Sequence, residues 1–82
     1  MNTEKLSYYI GDKYGYGSYI NDFDLVEDIE SQGYEVTTEA IQNTIMKSTY
    51  KMFIKKENKI VLELIICSED TGTMIEDISL VN

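Results

Sequence analysis

The chain has 82 residues, with 15 Asp and Glu against 7 Lys, a formal charge of −8 and a pI near 4.3. That length fits one domain spanning 1–82, and 43% hydrophobic residues are enough to fold it. With no His, Arg, Pro or Trp and a single Cys, there is no histidine general base, no bidentate guanidinium fork and no internal disulfide framework.

Residues 3–14 open with Thr3 as N-cap and Glu4 in the first turn, and Leu6, Tyr9, Ile10 and Tyr14 recur at helical spacing. Gly11 leaves a hairpin as the alternative, with a strand over Leu6–Ile10 and a return through Tyr14–Ser18; the spacing favours a helix. Residues 22–32 predict a second helix, capped by Asn21 or Asp22 and stopped at Gly33. Leu25, Val26 and Ile29 share its apolar face, and Asp24, Glu27 and Asp28 the opposite one. Residues 37–48 predict a third, with Thr37 as N-cap and Ile41 and Ile45 as its stripe. The period then changes to two. Tyr50, Met52 and Ile54 alternate with Lys51, Phe53 and Lys55, Lys56–Lys59 forms a turn, and Ile60–Cys67 reads as the central strand. Ser68–Gly72 is a second turn and Met74–Val81 a third strand. The expected class is α+β, with two or three N-terminal helices followed by a three-stranded antiparallel β-meander, winged-helix-like in outline.

Charge is distributed unevenly along the chain. Lys47, Lys51, Lys55, Lys56 and Lys59 face only Glu57 in their window, giving it +4 and leaving −12 for the remainder. The acids gather in Asp22, Asp24, Glu27, Asp28 and Glu30, and again in Glu69, Asp70, Glu76 and Asp77. An acidic helix suits a basic partner surface and speeds the encounter with it. The segment Tyr8–Tyr19 holds five of the seven tyrosines, more than a domain of this size can bury. Tyr14, Tyr16 and Tyr19 are therefore expected to give a partner packing area.

No catalytic centre, metal site or cofactor is expected. Asp22, Asp24 and Asp28 begin like a calcium loop but lack its glycine. Gly11, Gly15 and Gly17 form no phosphate-binding spacing, and Cys67 has no histidine to activate it. No apolar run reaches the roughly 20 residues of a membrane helix, and the opening Met-Asn-Thr-Glu-Lys lacks a signal-peptide core. A cytoplasmic protein, monomeric or homodimeric, is expected. The abundance of Ile, Lys, Asn, Glu and Tyr suits a low-GC bacterial or phage origin.

The stretch Asp24-Leu-Val-Glu-Asp-Ile-Glu-Ser-Gln-Gly-Tyr-Glu-Val-Thr37, followed by Glu39-Ala-Ile-Gln42, resembles the helix-turn-helix of winged-helix regulators of the arginine repressor N-terminal type. The resemblance covers about 40 of the 82 residues. It implies a recognition helix bearing Gln42 and Asn43, and a wing at 50–64 bearing lysines. Under that reading Gln42, Asn43, Lys47, Lys51, Lys55, Lys56 and Lys59 would contact DNA directly. The family has an arginine where this chain has Asn43. In size, charge and composition the chain is also similar to small acidic phage anti-defence proteins, including anti-CRISPR proteins and DNA mimics. That likeness implies an inhibitor or regulator of a nucleic-acid-binding protein, with Asp22, Asp24, Glu27, Asp28 and Glu30 standing in for phosphates. A winged-helix transcriptional regulator is the alternative.

Overall fold

The computed structural model describes residues 2–15, 19–70 and 72–81. The chain order is α1 (Thr3–Tyr14), α2 (Asp22–Ser31), β1 (Glu35–Asn43), β2 (Lys47–Lys56), β3 (Lys59–Glu69) and β4 (Gly72–Leu80). The strands form one antiparallel meander in the order β1-β2-β3-β4.

Residues 3–14 take the helix and not the hairpin. The cap is Asn2, whose side chain accepts from the Lys5 amide at 2.8 Å. Leu6 and Ile10, one turn apart, are fully buried. In α2 the Asn21 side chain accepts from the Phe23 amide at 2.9 Å, and Asp22 and Asp24 occupy the first turn, where the helix dipole favours acids. Gly33 turns the chain out of α2 at φ +93, a conformation open to glycine, with its amide donating back to Glu30.

The expected helix over 37–48 is overturned, and with it the three-stranded count. Residues 35–43 form β1, which makes four strands and two helices among the described residues. Three of its residues, Val36, Thr37 and Thr38, are β-branched and sit side by side, a run that crowds a helix and suits a pleated strand. Ile41 and Ile45, the expected stripe, are both exposed, so no core exists for a helix there to cover. The register sets Glu35 against Lys55 and Glu39 against Lys51, opposite charges directly across. The β1–β2 reversal is closed by Thr44, whose amide and hydroxyl donate to the Lys47 carbonyl at 2.8 and 3.0 Å.

The β2–β3 turn falls at Glu57-Asn58, both at positive φ (54 and 65), the pair that a two-residue turn of matching twist requires. At the head of β4, Gly72 lies under the Tyr19 ring. A Cβ there would come within 2.6 Å of Tyr19 Cδ1, so only glycine fits.

Alternation sorts the sheet into two faces. Tyr50, Met52 and Ile54 of β2 register with Ile66, Leu64 and Leu62 of β3 and point towards the helices. Val36, Thr38 and Ala40 of β1 and Ile75 and Ile78 of β4 extend that face. α1 packs on β3 and β4, and α2 on β1. The core is Leu6, Ile10, Leu25, Ile29, Tyr34, Met52, Ile54, Leu62, Leu64, Ile66 and Ile75. No described element covers the opposite face, which carries Lys51, Phe53, Glu63, Ile65 and Asp77. Cys67 points to this bare face and lies outside the core cluster, although it is fully buried.

Candidate functional site

The acids of α2 have separate environments. Asp24, Glu27 and Glu30 are exposed, and among the described residues none of the three pairs with a lysine. Asp22 is half-buried and accepts a hydrogen bond from the Tyr50 hydroxyl at 3.2 Å. Burial, and then the Asp22 carboxylate, push the Tyr50 phenol up to about 12.

Asp28 turns towards α1. Its Oδ2 accepts from Tyr9 Oη at 2.6 Å, Tyr14 Oη at 2.8 Å and Lys13 Nζ at 2.9 Å. The Tyr9 hydrogen bond leads these in holding the Asp28 carboxyl well below the usual range, with Lys13 and Tyr14 adding to it. Lys13 is held above its ordinary value, first by its bond to Asp28. Tyr14 is pushed up to about 12 by burial and then by Asp28. The charge of Asp28 is thus engaged inside the molecule, where it clamps α2 to α1.

Between α2 and the strands lies an open cavity of about 400 Å³. Val26, Met52 and the Tyr50 ring give it apolar walls, and Thr38 enters from β1. Phe23 stands at its lip with 79% of its surface exposed. Asp22, Glu27 and Glu30 rim it. The spacing 23, 26, 27, 30 places these side chains on one flank of α2. A groove of this kind takes an apolar side chain and holds a cation at its edge.

The expected aromatic patch is dispersed. Tyr14 is committed to Asp28, Tyr19 is exposed at the other sheet edge over Gly72, and Tyr16 lies outside the described residues. Gln42 and Asn43 sit on β1, with Asn43 accepting from the Ser48 hydroxyl at 2.7 Å. Lys47, Lys51 and Lys55 alternate along β2 onto the bare face, opposite Glu69, Glu39 and Glu35 respectively. Lys51 also pairs with Glu63 at 3.3 Å and Lys47 with Glu76 at 3.8 Å. Lys56 and Lys59 face each other at the turn, with Lys56 Nζ 4.8 Å from the Tyr34 ring centroid. Lys47, Lys51 and Lys55 are therefore interleaved with acids, whereas Lys56 and Lys59 adjoin each other.

The sequence reading missed Phe23, Val26, Thr38, Tyr50 and Met52 as groove residues. Only Phe23 and Val26 carried a signal, through their helical spacing with Glu27 and Glu30. Among the described residues no three His, Cys, Asp or Glu side chains are grouped to hold a metal ion. No described helix is long and apolar enough to cross a membrane. Comparison with protein-family models, with curated proteins and with solved structures gave no match.

Proposed function

We propose that the protein binds a basic partner protein through the outer flank of α2 and the groove beside it, and so inhibits or regulates that partner. One observation carries this reading. Among the described residues the exposed carboxylates of Asp24, Glu27 and Glu30 have no lysine partner, and Glu27 and Glu30 rim an apolar opening, whereas Lys47, Lys51 and Lys55 each face a glutamate. Unbalanced acid beside apolar area suits a surface bearing lysine or arginine around an apolar anchor. Nucleic-acid-binding proteins present such surfaces, and carboxylates in place of phosphates would block them. That mode agrees with the likeness to phage anti-defence proteins. Binding of DNA by the lysines lacks comparable support, because Lys47, Lys51 and Lys55 each face a glutamate across the sheet, which leaves Lys56 and Lys59 at the turn.

The test uses the protein as bait in host extract, beside an Asp24→Lys/Glu27→Lys/Glu30→Lys variant with an unchanged circular dichroism spectrum. The expected result is capture of strongly basic proteins by the native chain alone, reversed by salt and by competing duplex DNA. Equal capture by the variant would overturn the reading.

A further inference from the structure

β1 ends the sheet, and no described element pairs with its outer side; among the described residues the bridge outside the four strands joins Ile20 to Thr73, at the β4 edge. An edge strand presents a row of unpaired N–H and C=O groups, which natural sheets blunt with charged side chains, lysine above all, with proline, with a bulge or with a covering segment; in β1 the bulge lies near Ile41, which leaves Val36–Ala40 regular. Between Glu35 and Asn43 there is neither lysine nor proline, and every residue but Val36 is exposed. A shift of register near Ile41 is its one irregularity. The open edge runs beside the α2 groove, since Thr38 lines the same cavity as Val26, Glu27 and Glu30.

Charge selects the occupant. A second copy pairing β1 with β1 would bring the Glu27 and Glu30 flanks of two helices along one seam, in chains of charge −8 each. A strand carrying cations meets the opposite situation. We propose that β1 is a docking edge to which an extended basic segment of the partner adds as a fifth strand. This rests on the protein-binding reading above and adds to it the mode of attachment. Main-chain hydrogen bonds to β1 supply affinity, and alternate side chains supply selectivity. Every second residue of the incoming strand turns to the helix side. One such residue is apolar and enters the cavity against Val26 and Met52; its neighbour two positions on is a lysine or arginine that reaches Glu27 or Glu30.

The probes are a peptide whose every second residue alternates between valine and lysine, with threonine between them (Thr-Val-Thr-Lys repeats), so that one face carries both, the same peptide N-methylated at alternate amides on one edge or on the other, and oligolysine. N-methylation removes backbone donors and leaves charge and side chains in place. Titrations followed by amide chemical shifts should place the largest changes on Val36–Ala40 for the alternating peptide. Methylation of one edge should weaken binding by about tenfold or more, through several lost hydrogen bonds, and methylation of the other edge should not. Equal binding of both methylated peptides, or shifts on α2 with none on β1, would overturn strand addition while leaving partner binding by α2 intact. No binding of the alternating peptide, with capture of basic proteins still dependent on Asp24, Glu27 and Glu30, would do the same. Self-association through β1 would overturn it in favour of a second copy.

Discussion

Lys51 Nζ lies 3.3 Å from Glu63 Oε1 on β3, and on its other side Lys51 faces Glu39 of β1. One cation thus lies between acids on two neighbouring strands, in the middle of the bare face. Replacing it by glutamate would set three carboxylates in adjacent positions. Lys51→Glu is expected to cost about 1–2 kcal/mol, the scale of a lost cross-strand pair plus like-charge repulsion at a partly solvated site. The loss should shrink with added salt. Urea unfolding at low and high ionic strength measures both, and an unchanged midpoint would show that the pairing contributes nothing.

Asp28 is the polar link between the helices. Its side chain is 14% exposed and accepts from Tyr9, Tyr14 and Lys13. Asp28→Asn keeps the shape and removes the charge on which those three donors converge. About 2 kcal/mol of stability should be lost, the usual scale for hydrogen bonds to a charged group. Because the folded carboxyl is held below its unfolded value, this stability is present above about pH 4 and is lost as the pH falls through the lower folded value. Acid unfolding of Asp28→Asn should accordingly be shallower than that of the native chain. Identical acid limbs would remove Asp28 from this role.

How much could be read in advance depended on which residues met a core. In α1, α2, β2 and β3 a buried face alternates with a wet one, so Leu6/Ile10, Leu25/Ile29 and Met52/Ile54 announced their period. β1 is exposed on nearly every residue and offers no such contrast. Thr37 reads equally as a helix cap or as a β-branched strand residue, and the Ile41–Ile45 spacing imitates a stripe that covers nothing. What makes the segment a strand is its pairing with β2, a non-local fact. The same holds for charge. Read along the chain, the lysines of 47–59 form a +4 block; read across the sheet, Lys55 meets Glu35, 20 residues away in sequence. The acidic flank of α2 was legible because it is local. The withdrawal of Asp28 from that flank was not, since Tyr9, Lys13 and Tyr14 all reach it from another helix.

The phenols of Tyr14 and Tyr50 are both pushed up to about 12, first by burial and next by the carboxylates they approach. A folded state that holds these protons more tightly than the unfolded chain, where tyrosine titrates near 10, is stabilised below that pH. The contribution is lost as the pH rises from about 10 to about 12. Thermal melting across this range should therefore fall steeply. Tyr50→Phe, which cannot ionise, should soften the decline at the expense of the bond to Asp22. Tyrosinate absorbance measures the same event directly. The Tyr14 and Tyr50 phenols should ionise only as the pH approaches about 12, and their ionisation near 10 would contradict the clamp and the groove wall together.

Cys67 separates burial from core membership. It is fully buried, yet it faces away from the helices, with its sulfur 3.8 Å from Glu69 Oε1. Lys47 and Glu76, an ion pair at 3.8 Å with both side chains nearly half exposed, are its other charged neighbours. Burial pushes the thiol up, so the reactive thiolate is scarce at neutral pH and a thiol reagent should label the native protein slowly. Its cover consists of side chains and not of a packed layer. Lys47→Ala/Glu76→Ala should thus speed labelling several-fold without a comparable fall in stability. Leu64→Ala serves as the contrast. It opens the core between sheet and helices, should cost about 2–5 kcal/mol, and should speed labelling only through the larger unfolded population. If labelling of every variant tracks its unfolding free energy alone, Cys67 is shielded by the cooperative fold, and the bare face is closed more firmly than its side chains account for.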